Sequence, residues 1–208
     1  MIPGLVAAVQ HNYYVHMRHG LLIGTFLLSL FGAGTVAADQ NDPRLDTLFA
    51  KLHDQEGVHG ARMVEQMIWG VWLESDSATV SLLMNRGVEA MGERRFEAAL
   101  EAFNTIVELA PDFAEGWNKR ATLFYLMGRF QDSLSDVEKT LDLEPRHFGA
   151  LSGLGLIYTQ LDDEEHALEA YEQALAVNPH LPLARLKSSA CARRFAAIAS
   201  EAVPCRLA

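Results

Sequence analysis

Apolar and small residues recur along the middle of the chain with a helical period and, above it, a longer one. Between Leu83 and Pro179 the pattern returns every 34 residues, with Pro111, Pro145 and Pro179 at equivalent places. Inside each block the apolar positions follow the i, i+3, i+4 spacing of an amphipathic helix, twice over. The spacing predicts helices near Ala78–Met91 and Arg95–Leu109, then Phe113–Met127 and Phe130–Leu143, then His147–Gln160 and Glu164–Val177. Gly92 and Gly128 break the first two pairs, and Asp162 with Glu165 forms a capping-box-like start to the last helix. Each proline starts a new helix because it cannot continue the old one.

Outside these blocks the helical pattern goes on less regularly. Asp42-Pro43 offers an N-cap and a favoured first helical residue. Leu45, Leu48, Phe49 and Leu52 then form one apolar stripe, and Val64, Met67, Ile68, Val71 and Trp72 form a second after the loop bracketed by Gly57 and Gly60. Shifted by 34 residues, Trp69 falls where Phe103 stands, Glu65 where Ala99 stands and Ser77 where Pro111 stands. Residues 39–77 therefore read as a hairpin that is either a divergent repeat or an N-terminal cap. From His180 the repeat stops. Ala184, Cys191, Phe195 and Ile198 share one face of a final helix, with Arg185, Lys187, Arg193 and Arg194 on its outer side.

The pattern has a packing logic. Gly87, Ala121 and Gly155 let the two helices of a hairpin approach closely, facing small Ala99, Ser133 and Ala167. Trp117, Phe124, Tyr158, Phe103 and Tyr171 are expected to fill the spaces between units, and a buried Trp117 would cost about 3–5 kcal/mol on truncation to Ala. One hairpin cannot bury its own apolar face, so neighbours must stack.

These residues resemble the tetratricopeptide repeat. The third unit carries Leu151, Leu154, Gly155 and Tyr158, then Ala167, Tyr171 and Pro179. The second carries Trp117, Ala121, Phe124 and Pro145 but has Ser133 and Val137 where Ala and an aromatic are usual. The first has Leu83, Gly87, Ala90, Ala99, Phe103 and Pro111. The resemblance implies an all-α, right-handed superhelical solenoid of antiparallel helix hairpins, with units at about 78–111, 112–145 and 146–179 and a capping helix and basic tail at 180–208. It also implies a concave groove lined by the first helix of each hairpin. The lining positions are Met84, Val88 and Met91, then Asn118, Thr122 and Tyr125, then Ser152, Leu156 and Thr159. Some members clamp a chaperone's terminal carboxylate with two Lys, two Asn and an Arg. The matching positions here are Met84, Val88, Lys119, Gly149 and Gly153, none of the required type.

Composition adds an address. Half the residues are hydrophobic and 21% are charged, with a net charge of -10. A nucleic-acid footprint needs a clustered basic face, which this chain lacks. Residues 39–179 hold 26 acids against 11 bases, whereas 180–208 hold one acid against five bases. That reversal reads either as a genuine basic tail or as a shifted reading frame. Leu21–Phe31 is an apolar run too short to span a bilayer, followed by Gly32, Ala33 and Gly34 and a small-residue cleavage site ending at Ala38. Residues 1–38 thus read as an export signal, with Met17 as a candidate start, and imply a periplasmic or secreted protein. The alternative is an uncleaved membrane anchor serving a structural or self-associating role.

Chemistry is sparse. Cys191 and Cys205 are the only cysteines, and Cys191 reads as a small apolar packing residue. Gly153-x-Gly155 lies inside a repeat helix and makes a poor phosphate loop. Glu164-Glu165-His166 lacks the second His of a zinc helix, and His166 reads as a solvated residue. Neither a metal nor a cofactor is implied, and the expected activity is non-enzymatic. It is capture of a protein segment, either a peptide or a partner helix, along the groove.

Overall fold

In a computed structural model the backbone is described for residues 39–201 and the side chains for residues 40–194. Among these, the regular structure is helical. A short 3-10 turn at Asp39–Asn41 precedes α1 (Arg44–His53), α2 (Val58–Leu73), α3 (Ala78–Gly92), α4 (Phe96–Leu109), α5 (Ala114–Leu126), α6 (Phe130–Leu143), α7 (Phe148–Gln160), α8 (Glu164–Val177) and α9 (Pro182–Glu201). Helices α3 to α8 form three stacked hairpins, and α9 packs on α8. The result is an all-α solenoid.

The turns inside the hairpins repeat as strictly as the prolines. Arg94, Gly128 and Asp162 all have positive φ, at 59°, 74° and 57°, and stand 34 residues apart. The first hairpin therefore turns at Arg94, with Gly92 still in the helix. The last helix is capped by Asp163, whose side chain accepts from the His166 amide, so the capping residue is one place later than Asp162. Ser77 caps α3 by accepting from the Val80 amide.

The close approach within hairpins is explicit. A Cβ on Gly87 would lie 2.5 Å from Phe103 Cε1, and one on Gly155 would lie 2.5 Å from Tyr171 Cε1. Both aromatic rings are buried. In the middle hairpin Ala121 occupies the glycine position and Val137 the aromatic one, so the methyl gained on one helix is matched by a ring lost from the other. Ser133 Oγ donates to the Ala121 carbonyl at 2.8 Å, which satisfies the hydroxyl at this otherwise Ala-type position. Phe124 is buried, but Trp117 and Tyr158 are only half-buried. Trp117 donates from Nε1 to the Pro111 carbonyl at 2.9 Å and lies under the Arg120 guanidinium. It braces a turn rather than filling the core, and the expected truncation cost shrinks accordingly.

The N-terminal hairpin does not continue the array upstream. Leu45, Leu48, Phe49, Leu52, Ile68, Val71 and Trp72 form one core with Phe148, against which Trp69, Val177 and Leu181 also pack. Gln40 donates to the Asp112 carbonyl at 2.6 Å, and Arg146 pairs with Asp46 at 2.7 Å. The hairpin thus lies along successive inter-repeat turns. Trp69 packs on Trp72 of its own hairpin and on His147 and Phe148 of the array, whereas Phe103 fills the space beside Gly87 within its own hairpin. Downstream, Ala184 and Cys191 bury on α8 beside Tyr171 and Ala174. Arg194 pairs with Glu164 and Asp162. The export reading at 1–38 and Cys205 lie outside the described residues, as do the side chains of Phe195 and Ile198.

Candidate functional site

The first helices of the three hairpins, α3, α5 and α7, neighbour one another directly and form one face of the array. The nine groove positions fall into two groups on it. Met84 is 4% exposed inside the core with Val80, Phe103 and Ile106, and Met91 packs on the same core. Asn118 is buried and its amide donates to Glu115 Oε2 at 2.8 Å. Met84 and Asn118 therefore spend their side chains on the interior. Val88 is exposed but lies apart.

The second group comes together. Thr122, Tyr125 and Leu156, over the edge of Asn118, line a recess of about 80 Å³ floored by Ala121, Val137 and Ile157. Gly149 and Gly153 form its wall, and the space where a Gly153 side chain would stand is open. Tyr125 is held by the Phe130 ring at 5.7 Å. Ser152 and Thr159 are half-buried and return their hydroxyls to the Phe148 and Gly155 carbonyls at 2.8 and 2.7 Å. Such i−4 bonds are local, so these two side chains contribute shape more than hydrogen-bonding capacity.

Toward the N-terminal ends of α5 and α7 the same face is covered. Trp69 of α2 meets the Lys119 ammonium, 5.2 Å from its ring centroid, and the rings of His147 and Phe148 at 5.4 and 5.5 Å, both edge-on. It sits where a Gly149 Cβ would be, 2.5 Å from Cη2. Trp72 stacks flat on His147 at 4.2 Å. Lys119 and Gly149 are two of the five positions matched to the chaperone clamp, and here Trp69 stands over both.

Beneath the tryptophans lies a buried ionic network that periodicity did not announce. His147 Nε2 donates to Glu115 Oε2 at 2.9 Å, while His147 Nδ1 accepts from the Ala150 amide at 3.0 Å and so caps α7. That pairing fixes the tautomer with its proton on Nε2. Lys119 reaches Glu115 Oε1 at 2.7 Å. Burial alone would push the Glu115 carboxyl up, but the His147 hydrogen bond and the Lys119 charge outweigh it and hold it below the usual carboxylate range. The available sequence signal was the i, i+3 pair Trp69 and Trp72 together with an acid inside an apolar stretch. Elsewhere, Arg120 grips Asp136 through two bonds at 2.7 and 2.8 Å and holds Asn104, linking α4, α5 and α6. Exposed His166 pairs with Asp163 at 2.7 Å. Among the described residues there is no cluster of three or more metal-ligating side chains.

Comparison with known proteins gives this geometry a family. Two tetratricopeptide repeat models match residues 84–134 and 149–181. A TPR repeat-containing protein of Rhizobium etli is 40% identical over 143 residues, covering 69% of this chain and 70% of that protein. The Hsp70-Hsp90 organizing protein of Triticum aestivum is 34% identical over 94 residues, and the match spans 45% of this chain but only 16% of that protein. Among solved structures, the Sgt2 TPR domain from Aspergillus fumigatus superposes with a TM-score of 0.58 at 20% identity, covering 64% of this chain and 89% of that one. The first TPR of Spaghetti, bound to an HSP90 peptide, gives 0.56 at 20% identity, covering 58% of this chain and 96% of that one. With the repeat models, the Rhizobium relative and the stacked hairpins in agreement, the chain belongs to the tetratricopeptide repeat family.

Proposed function

We propose that this protein is a non-enzymatic adaptor that captures a peptide or partner helix on the open part of its concave face, at Thr122, Tyr125, Ser152, Leu156 and Thr159. The observation that carries the reading is the recess between α5 and α7. Its mixed lining and volume of about 80 Å³ suit one aliphatic side chain of a bound segment, with Gly153 leaving room for the segment's backbone. The organizing protein and the peptide-bound TPR domain named above support the same kind of use. Val88, Met91, Met84 and Asn118 then serve the site indirectly, through the upstream surface and the core.

Residues 1–38 fit an export signal cleaved after Ala38, which places the adaptor in the periplasm or outside the cell. N-terminal sequencing of the mature protein is expected to start at Asp39. A start upstream of Leu21 overturns the cleavage and favours the anchored alternative. For the groove, affinity capture from the native compartment with wild type and with Tyr125→Ala/Leu156→Ala is the test. The double variant is expected to lose the captured protein while keeping its helical circular dichroism. An unchanged capture profile sinks the groove reading.

A further inference from the structure

Helix α2 places Trp69 and Trp72 three residues apart, hence on one side of the helix. Trp72 is sealed, whereas Trp69 is half-buried. The recess that receives Trp69 consists of the Lys119 ammonium, the edges of His147 and Phe148, and the missing side chain of Gly149. A cation over a ring face, ring edges around it and a gap the thickness of a side chain are the chemistry that recognises an aromatic group. Polar ties between the hairpin and the array are few. Among the described residues they comprise the Gln40 side chain at Asp112 and Ala114, and the exposed Arg146, which pairs with Asp46 and lies 4.6 Å from the Phe49 ring centroid. The Arg44–Glu74 pair, by contrast, joins the two ends of the hairpin, so it travels with the hairpin. Extended backbone at Glu74 and the three residues after it connect α2 to α3.

We propose that this recess is a binding site for an aromatic-anchored helix of a partner protein, and that Trp69 is its resident occupant. The partner segment is an amphipathic helix carrying two aromatic side chains three residues apart, the spacing of Trp69 and Trp72. It takes the recess when the α1–α2 hairpin swings away. The proposal rests on the concave face being a binding surface and assigns a ligand chemistry to its covered half. Self-occupation multiplies the intrinsic affinity by the fraction of molecules in which the hairpin is open, and so weakens it.

The test uses the full chain and a fluorescently labelled peptide of residues 58–73 as the probe. Anisotropy titration is expected to show binding to Trp69→Ala tighter than to wild type by about tenfold or more. The same peptide carrying Ala at the Trp69 position is expected to lose that gain. Hydrogen exchange of the wild type is expected to show α2 amides opening as a unit before those of α5. Equal binding to both proteins, or α2 exchanging only together with the repeats, makes the hairpin permanent core and overturns the proposal. If Trp69→Ala does not fold, Gly149→Leu replaces it, since its side chain must expel the ring. Raised exchange confined to α1 and α2 then supports the proposal, and unchanged exchange overturns it. A wild-type dimer by light scattering, with hairpins exchanged, would assign the recess to a second copy and also overturn it. None of these readouts depends on Tyr125 or Leu156, so failure here and failure of the adaptor reading are separable.

Discussion

Gly153 and Gly155 lie two residues apart in α7, and the same substitution is expected to move stability in opposite directions. A methyl on Gly153 meets nothing within 4 Å, so Gly153→Ala keeps the helix propensity gain of about 0.5–1 kcal/mol. A methyl on Gly155 would stand 2.5 to 2.7 Å from three atoms of the Tyr171 ring, which is 1% exposed and has nowhere to retreat. Overpacking of that kind costs about 1–3 kcal/mol. Net of propensity, Gly155→Ala is expected to destabilise by roughly 1–2 kcal/mol. The middle hairpin shows the remedy, because Ala121 there faces Val137. Tyr171→Val alone empties a buried site and is expected to cost about 2–4 kcal/mol. Combined with Gly155→Ala it recreates the middle pairing, and the double variant is expected to fall short of additivity by about 1–2 kcal/mol. Urea titration followed by circular dichroism at 222 nm measures the four variants against the wild type. A stabilising Gly155→Ala, or strict additivity of the pair, would refute the idea that helix spacing is set by glycine and ring together.

Three further outcomes follow from other sites. Trp72→Ala is expected to cost about 3–5 kcal/mol as a sealed aromatic, whereas Trp117→Ala, half-buried at a turn, is expected to cost about 1–2 kcal/mol; equal losses in denaturant titration would contradict the two placements. Glu115→Gln leaves Lys119 and His147 without their buried anion and is expected to cost about 3 kcal/mol near neutral pH. Because the folded Glu115 carboxyl is held below its ordinary range, its contribution is full above the unfolded value of 4.5 and is lost as pH falls through the folded value. The wild type should therefore lose its advantage over Glu115→Gln on acidification below about pH 4.5, and a constant difference down to pH 2 would exclude the carboxylate as its source.

The 34-residue spacing of prolines and small residues was enough to specify stacked hairpins, because each unit's apolar stripes cannot be buried except by another unit. Local chemistry also reached the helix ends to within a residue. It missed Arg94 as the first turn because nothing in an arginine's side chain announces a left-handed backbone, and only its 34-residue register with Gly128 and Asp162 does so. Tertiary structure decided where α1 and α2 go. Their stripes showed that they would bury an apolar face but not against what, since period carries no address for a contact such as Trp72 on His147. That placement divides the concave face into a covered half and an open half. It also takes Glu115 out of water, where its charge is kept only because residues from α5 and the turn before α7 converge on it. That Thr122, Tyr125 and Leu156, which line one recess, share a face was readable from repeat register alone. The places of Met84 and Asn118 were not, because which side of a helix faces the groove and which faces the neighbouring hairpin is settled by the helix packing angle, a property of the assembled array.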